Sequence, residues 1–118
     1  MDNESRPTIM VQANTAITDA QLREVLLGIE EEGVPFELRR DPELNPLTLA
    51  HEASIASRLG VGVGVSLDYV VITTEKLPEQ RPYITGLLNR TAQADRALGA
   101  NAARIVKRLP LHDALVSA

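Results

Sequence analysis

Cysteine and tryptophan are both absent from these 118 residues, and only Phe36, Tyr69 and Tyr83 are aromatic. Without cysteine there is no disulfide scaffold and no thiolate metal site, which fits a cytoplasmic home. With so few aromatics the core has to be assembled from Leu, Val, Ile and Ala. Positive charge is short as well: 12 Lys and Arg stand against 16 Asp and Glu, a formal net charge of −4. That balance argues against a nucleic-acid groove and against an anionic membrane surface. No apolar run approaches the roughly 18 residues of a membrane span, and the polar, acidic N-terminus is not patterned as a signal peptide. What is present is 44% hydrophobic and 24% charged, in a length that suits one domain with a modest single core.

The chain is organised around Glu24–Phe36, which reads Glu-Val-Leu-Leu-Gly-Ile-Glu-Glu-Glu-Gly-Val-Pro-Phe. Leu22, Val25, Leu26 and Ile29 recur at helical spacing and make one face apolar. Gly33 tolerates the left-handed conformation and Pro35 cannot continue a helix, so together they mark its end. Glu30, Glu31 and Glu32 then put three carboxylates at the negative end of the helix dipole, where they also repel one another. Each charge–dipole contact is worth about 0.3–1 kcal/mol, so the penalty is modest but in need of a cation. Arg39 and Arg40 are the nearby candidates. An external cation or a partner is the alternative.

Residues 1–7 are polar and expected to be a disordered tail, and 112–118 a second tail, leaving one domain over 8–111. Thr8–Ala13 reads as a first strand. Thr18 followed by Asp19-Ala20-Gln21 is a capping box, so a first helix is expected over Asp19–Glu32. Val34–Arg39 reads as a second strand with Phe36 and Leu38 on one face. Prolines 42 and 46 mark a loop, and Leu49, Ala53, Ala56 and Leu59 place a second helix over Leu47–Leu59. Gly60–Val65 alternates glycine and valine strictly, a strand with one bare face, and turns through Ser66-Leu67-Asp68 into a strand over Tyr69–Thr74. Pro82–Leu87 is expected to be an edge strand. Asn89 or Thr91 caps a last helix that runs to about Leu109, with Leu98, Ala102, Ile105 and Leu109 as its buried stripe. The order predicts a single three-layer-like α/β domain, a mixed sheet of about five strands covered by about three helices.

Gly60-Val61-Gly62-Val63-Gly64 has the wrong spacing for a dinucleotide loop and is followed by a strand, so it reads as a strand against which another element packs closely. His51 and His112 are the only histidines. Neither has a second ligand at matching spacing, which leaves them as surface residues and leaves no zinc or histidine acid–base site. Ser54, Ser57 and Ser66 lack a nucleophile-elbow context. No active site is legible. The glutamate cluster keeps two readings: a solvated helix end, or a carboxylate lent to a metal held mainly by another protein, since hard cations such as Mg²⁺ take few protein carboxylates. The small residues of Gly99-Ala100-Asn101-Ala102-Ala103 serve either close packing on the sheet or contact with a partner helix.

Glu24–Phe36 and Leu98–Leu111 (Leu-Gly-Ala-Asn-Ala-Ala-Arg-Ile-Val-Lys-Arg-Leu-Pro-Leu), with the Val61-Gly62-Val63-Gly64 strand and the Leu77-Pro78 loop, resemble the small subunit of the diol and glycerol dehydratase-reactivating factors. The likeness runs from about Ile9 to Leu111, and the medium subunits of the dehydratases share the fold and part of the pattern. The resemblance implies a non-catalytic, chaperone-like role. Adenosylcobalamin-dependent dehydratases inactivate themselves and keep the damaged cobalamin. In this family a large ATPase subunit, which binds ATP or ADP, pairs with a small one, in a complex expected to hold two of each. The small subunit takes the place of the dehydratase medium subunit, and the damaged cofactor leaves by this subunit exchange. The family's small subunit offers a glutamate to a Mg²⁺ in the large subunit. The matching residue is Glu31, the second acid after Gly28-Ile29, and no cofactor of its own is implied. The third acid, Glu32, departs from the family pattern. Location in the cytoplasm is implied, with a bacterial microcompartment left open.

Two other classes compete. One is a medium-subunit-like piece of a dehydratase itself, for which the chain is short and lacks an additional cobalamin-contacting segment. The other is a receiver-type or small-molecule α/β domain, which needs clustered aspartates where Asn14 and Ser66 stand. On the favoured reading the isolated chain neither hydrolyses ATP nor dehydrates diols. Glu31→Gln is then expected to leave the isolated domain as stable or slightly more so, and to weaken Mg²⁺-dependent binding to the large subunit. Glu32→Gln is expected to weaken that binding much less.

Overall fold

The structure, a computed structural model, describes residues 6–112. The expected tails fall mostly on 1–5 and 113–118, outside the described residues. In between run β1 (Ile9–Asn14), α1 (Asp19–Glu31), β2 (Phe36–Asp41), α2 (Pro46–Ala56), β3 (Val61–Ser66), β4 (Tyr69–Thr74), β5 (Ile84–Leu87) and α3 (Ala92–Lys107). One five-stranded sheet has the order β2-β1-β3-β4-β5. β1 pairs in parallel with both β2 and β3, whereas β3–β4 and β4–β5 are antiparallel. The sheet is therefore mixed, as its connections allow: helical crossovers between parallel strands, a tight turn at Leu67-Asp68 between β3 and β4, and a loop over 75–83 between β4 and β5.

The alternation in β3 sorts the layers. Val61, Val63 and Val65 join Ile9, Val11 and Ala13 of β1 and Val70 and Ile72 of β4 on one face. There they pack against Leu22, Val25 and Ile29 of α1 and Leu98 and Ala102 of α3. The glycines face the other way and let α2 lie directly on the sheet. A Cβ at Gly62 would stand 2.2 Å from the Ser54 nitrogen, and one at Gly64 2.5 Å from the Ala50 nitrogen. The close-packing reading of the glycine strand is the correct one. α1 and α3, the sheet, and α2 thus form three layers.

Several boundaries move, each for a tertiary reason. β2 starts at Phe36 rather than Val34 because its register with β1 begins at Ile9↔Phe36 and ends at Asn14↔Asp41. α2 stops at Ala56, short of Leu59. Ser57 is extended there and its hydroxyl donates to the Thr8 carbonyl at 2.6 Å, so Ala56 is exposed and Leu59 only half-buried. The edge strand β5 is shorter than Pro82–Leu87. Thr91, not Asn89, caps α3, its hydroxyl accepting from the Ala94 N–H at 2.9 Å. α3 ends at Lys107 with Arg108, left-handed at φ 60°, as its cap, and this leaves Leu109 exposed instead of in the stripe. The Thr18–Gln21 capping box forms as expected: the Gln21 N–H donates to the Thr18 hydroxyl at 3.1 Å and the Thr18 N–H to Gln21 Oε1 at 2.9 Å.

Candidate functional site

Open sheets with this kind of strand order bind ligands at the carboxyl ends of the strands where the order reverses, here between β1 and β3. At that crevice the side chains ending both strands tie down the β2–α2 loop. Asn14, at the end of β1, donates through Nδ2 to the carbonyls of Pro42 (3.2 Å) and Glu43 (2.9 Å) and accepts the Ala16 N–H at 2.9 Å. Ser66, at the end of β3, donates its hydroxyl to the Leu44 carbonyl at 2.6 Å. The two positions a receiver would need for chemistry are committed to holding the β2–α2 loop. His51 lies on α2 and His112 beside α3, on opposite faces of the sheet, and both are half-buried rather than fully exposed. Among the described residues no group of three or more His, Cys, Asp or Glu could hold a metal, and no helix is long and apolar enough to cross a membrane.

The distinctive surface is the end of α1. The contacts of α1 and its C-cap with α3 and the turn before it run in step: Gln21 with Asn89, Glu24 with Arg96, Glu32 with Arg104 and Lys107. The two helices therefore lie side by side in the same direction. Gly28 and Gly99 bring them into backbone contact, since a Cβ at Gly28 would stand 2.1 Å from the Arg96 carbonyl oxygen. The small residues of α3 thus serve packing inside this chain, against a helix as well as the sheet. Asn89, left-handed at φ 64°, fastens the start of the pair. Its side chain donates to the Gln21 carbonyl at 3.1 Å and to buried Asp95 at 2.8 Å.

Close approach places the cations of α3 on the acids of α1. Arg39 and Arg40, the expected compensators, do not take part: Arg39 pairs with Glu37, and Arg40 with Asp19 and the Ile17 carbonyl. Instead Lys107 donates to Oε1 of Glu32 at 2.9 Å and to the Glu32 carbonyl at 2.6 Å, so one ammonium caps the terminus of α1. Arg104 donates to Oε2 of Glu32 at 3.1 Å. The Lys107 hydrogen bond, with Arg104 beside it, holds the Glu32 carboxyl below the usual carboxylate range against the opposing effect of desolvation. Arg96 donates to Oε1 of Glu24 at 3.0 Å and, through Nη1, to Oε2 of Glu31 at 3.1 Å. The hydrogen bond and charge of Glu24, then the charge of Glu31, raise the Arg96 guanidinium above its ordinary value.

The three acids consequently differ. Glu32 has both oxygens engaged and a side chain only 15% exposed. Glu30 is exposed and pairs with nothing among the described residues. Glu31 is 56% exposed, with Oε2 on Arg96 and Oε1 unengaged among the described residues. It borders a cleft of about 540 Å³ that is also lined by Arg96, Ala100 and His112. No local pattern near Glu30–Glu32 points to Arg96, Arg104 and Lys107. The one sequence signal is that they recur on a single helical face.

The profile of the dehydratase medium subunit family matches residues 6–112. The chain is 41% identical to the propanediol dehydratase-reactivating factor small subunit of Salmonella typhimurium, over 94% of this chain and 95% of the relative. It is 39% identical to the diol dehydratase-reactivating factor small subunit of Klebsiella michiganensis, over 94% of this chain and 88% of the relative. A solved structure of diol dehydratase-reactivating factor complexed with ADP and Mg²⁺ is similar with a TM-score of 0.85 and 38% identity, covering 91% of this chain and 98% of that one.

Proposed function

Because the chain belongs to the dehydratase medium subunit family, as one of the reactivating-factor small subunits, we propose that it is the non-catalytic partner of a large ATPase subunit. Together the two release damaged cobalamin from an inactivated adenosylcobalamin-dependent diol or glycerol dehydratase. The observation that carries this reading is identity of 39–41% to reactivating-factor small subunits over 94% of the chain. Shared descent with the medium subunit supplies the mechanism. A domain of the same shape competes for the medium subunit's place, and the exchange loosens the cofactor site. The engagement of Asn14 and Ser66 in holding the β2–α2 loop at the switch point supports a role as a docking body.

Glu31 is the residue we assign to the Mg²⁺ of the large subunit. One exposed carboxylate fits such a role, because Mg²⁺ is commonly held by one or two carboxylates together with phosphate and water oxygens. The cation would neutralise a helix end that α3 compensates only in part. Glu32 fits less well, since its oxygens are occupied. We place the complex in the cytoplasm, with two large and two small subunits.

The test is co-purification followed by calorimetric titration of the large subunit with and without Mg²⁺. The reading expects this chain to bring down a large ATPase subunit and to show no ATP hydrolysis alone. It expects Glu31→Gln to lose affinity only when Mg²⁺ is present, and Glu32→Gln to lose much less. Capture of a catalytic dehydratase subunit in its place would make the chain a dehydratase component.

A further inference from the structure

Arg96 is anchored on one side and offers a single bond on the other. Its Nε and Nη2 both donate to Oε1 of Glu24, and only Nη1 reaches Glu31. A guanidinium is a rigid planar fork, so fixing two of its donors sets the direction of the third. Its backbone is held too, because the Arg96 carbonyl lies against Gly28 at the helix contact. Glu24 meanwhile offsets the Arg96 charge, so the pair adds little net repulsion toward an approaching cation. A carboxylate that ligates a metal is itself commonly oriented by a hydrogen bond to its other oxygen. Among the three acids at this helix end, only Glu31 is held in that half-engaged way.

We infer that Arg96, clamped by Glu24, is a positioning residue for Glu31: it holds Oε2 and leaves Oε1 for the cation of the large subunit. This rests on the assignment of Glu31 made above. The alternative role, a latch that hides Glu31 from the partner, predicts the opposite sign on removal.

The experiment titrates the large subunit with full-length wild type, Arg96→Gln, Arg96→Lys and Glu24→Gln, with and without Mg²⁺, and repeats Arg96→Gln in a Glu31→Gln background. Loss of such a supporting contact typically costs about 10–100-fold in metal affinity, and the lower end is expected for Mg²⁺-dependent binding by Arg96→Gln. Arg96→Lys keeps the charge without the fork and is expected to fall with Arg96→Gln. Glu24→Gln leaves Arg96 in place at the helix contact and is expected to lose less, with the same Mg²⁺ dependence. In the Glu31→Gln background the effect of Arg96→Gln should vanish. If Glu31→Gln weakens binding but Arg96→Gln binds as well as wild type or better, the positioning role is wrong and the Glu31 assignment stands. A loss that is equal without Mg²⁺, or that persists in the Glu31→Gln background, likewise overturns it by assigning Arg96 to packing. If Glu31→Gln itself binds like wild type at saturating Mg²⁺, the Glu31 assignment fails and this inference with it.

Discussion

Gly99 of α3 lies so close to Val25 of α1 that a Cβ on Gly99 would stand 1.8 Å from the Val25 carbonyl oxygen. The neighbour is backbone and cannot rotate away. Gly99→Ala must therefore separate the two helices, and with them the contacts of Arg96 and Arg104. Overpacking of this kind costs about 1–3 kcal/mol. We expect a lower denaturant midpoint for Gly99→Ala in the isolated domain, together with weaker Mg²⁺-dependent binding to the large subunit. An unchanged midpoint would show that the helices already stand farther apart.

Glu32 is the acid that the fold itself uses. Glu32→Gln weakens contacts to both Arg104 and Lys107, and charge-assisted hydrogen bonds of this sort are worth roughly 1.5–3 kcal/mol, less where solvent reaches them. A loss of about 1 kcal/mol in urea unfolding is expected. Lys107→Ala, which also removes a cap on the Glu32 carbonyl, should cost at least as much.

The Glu32 carboxyl, lowered in the folded state, gives this helix end a pH dependence of definite sign. A depressed carboxyl contributes stability that is present above its unfolded value, near 4.5, and is lost as pH falls through the lower folded value. The stability difference between wild type and Glu32→Gln should therefore hold at neutral pH and shrink below about pH 4.5. A difference that stayed constant down to pH 3, measured by urea unfolding at a series of pH values, would remove Glu32 as the titrating group.

Glu31→Gln behaves differently in the isolated domain. From the helix dipole alone the substitution is neutral or slightly stabilising, but the Arg96 pair adds a small opposing contribution. Exposed pairs are worth about 0–1 kcal/mol, so the net change is expected within about 0.5 kcal/mol of zero. Thermal unfolding of the isolated variant checks this. A loss as large as that of Glu32→Gln would mean that Glu31 is structural.

Local physics determined much of this protein before any tertiary contact was considered. The glycine–valine alternation of β3 dictated a strand with one bare face because side chains on a strand point alternately up and down. Thr18 and Gln21 set the start of α1, and Gly33 with Pro35 its end, since caps and breakers act over one turn. Three carboxylates at a helix terminus announced a charge that something had to answer. What answered it was beyond local reach. Arg96, Arg104 and Lys107 lie 65 to 75 residues downstream of their partners, brought there by the parallel course of α1 and α3 and the contact at Gly28 and Gly99. The nearer cations, Arg39 and Arg40, turned out to be committed along β2 and to α1's first turn. Tertiary structure likewise decided that β2 begins at Phe36, because its register is a property of the β1–β2 pair. It also separated the three glutamates into one structural, one solvated and one half-engaged, a distinction that depends on donors from another helix.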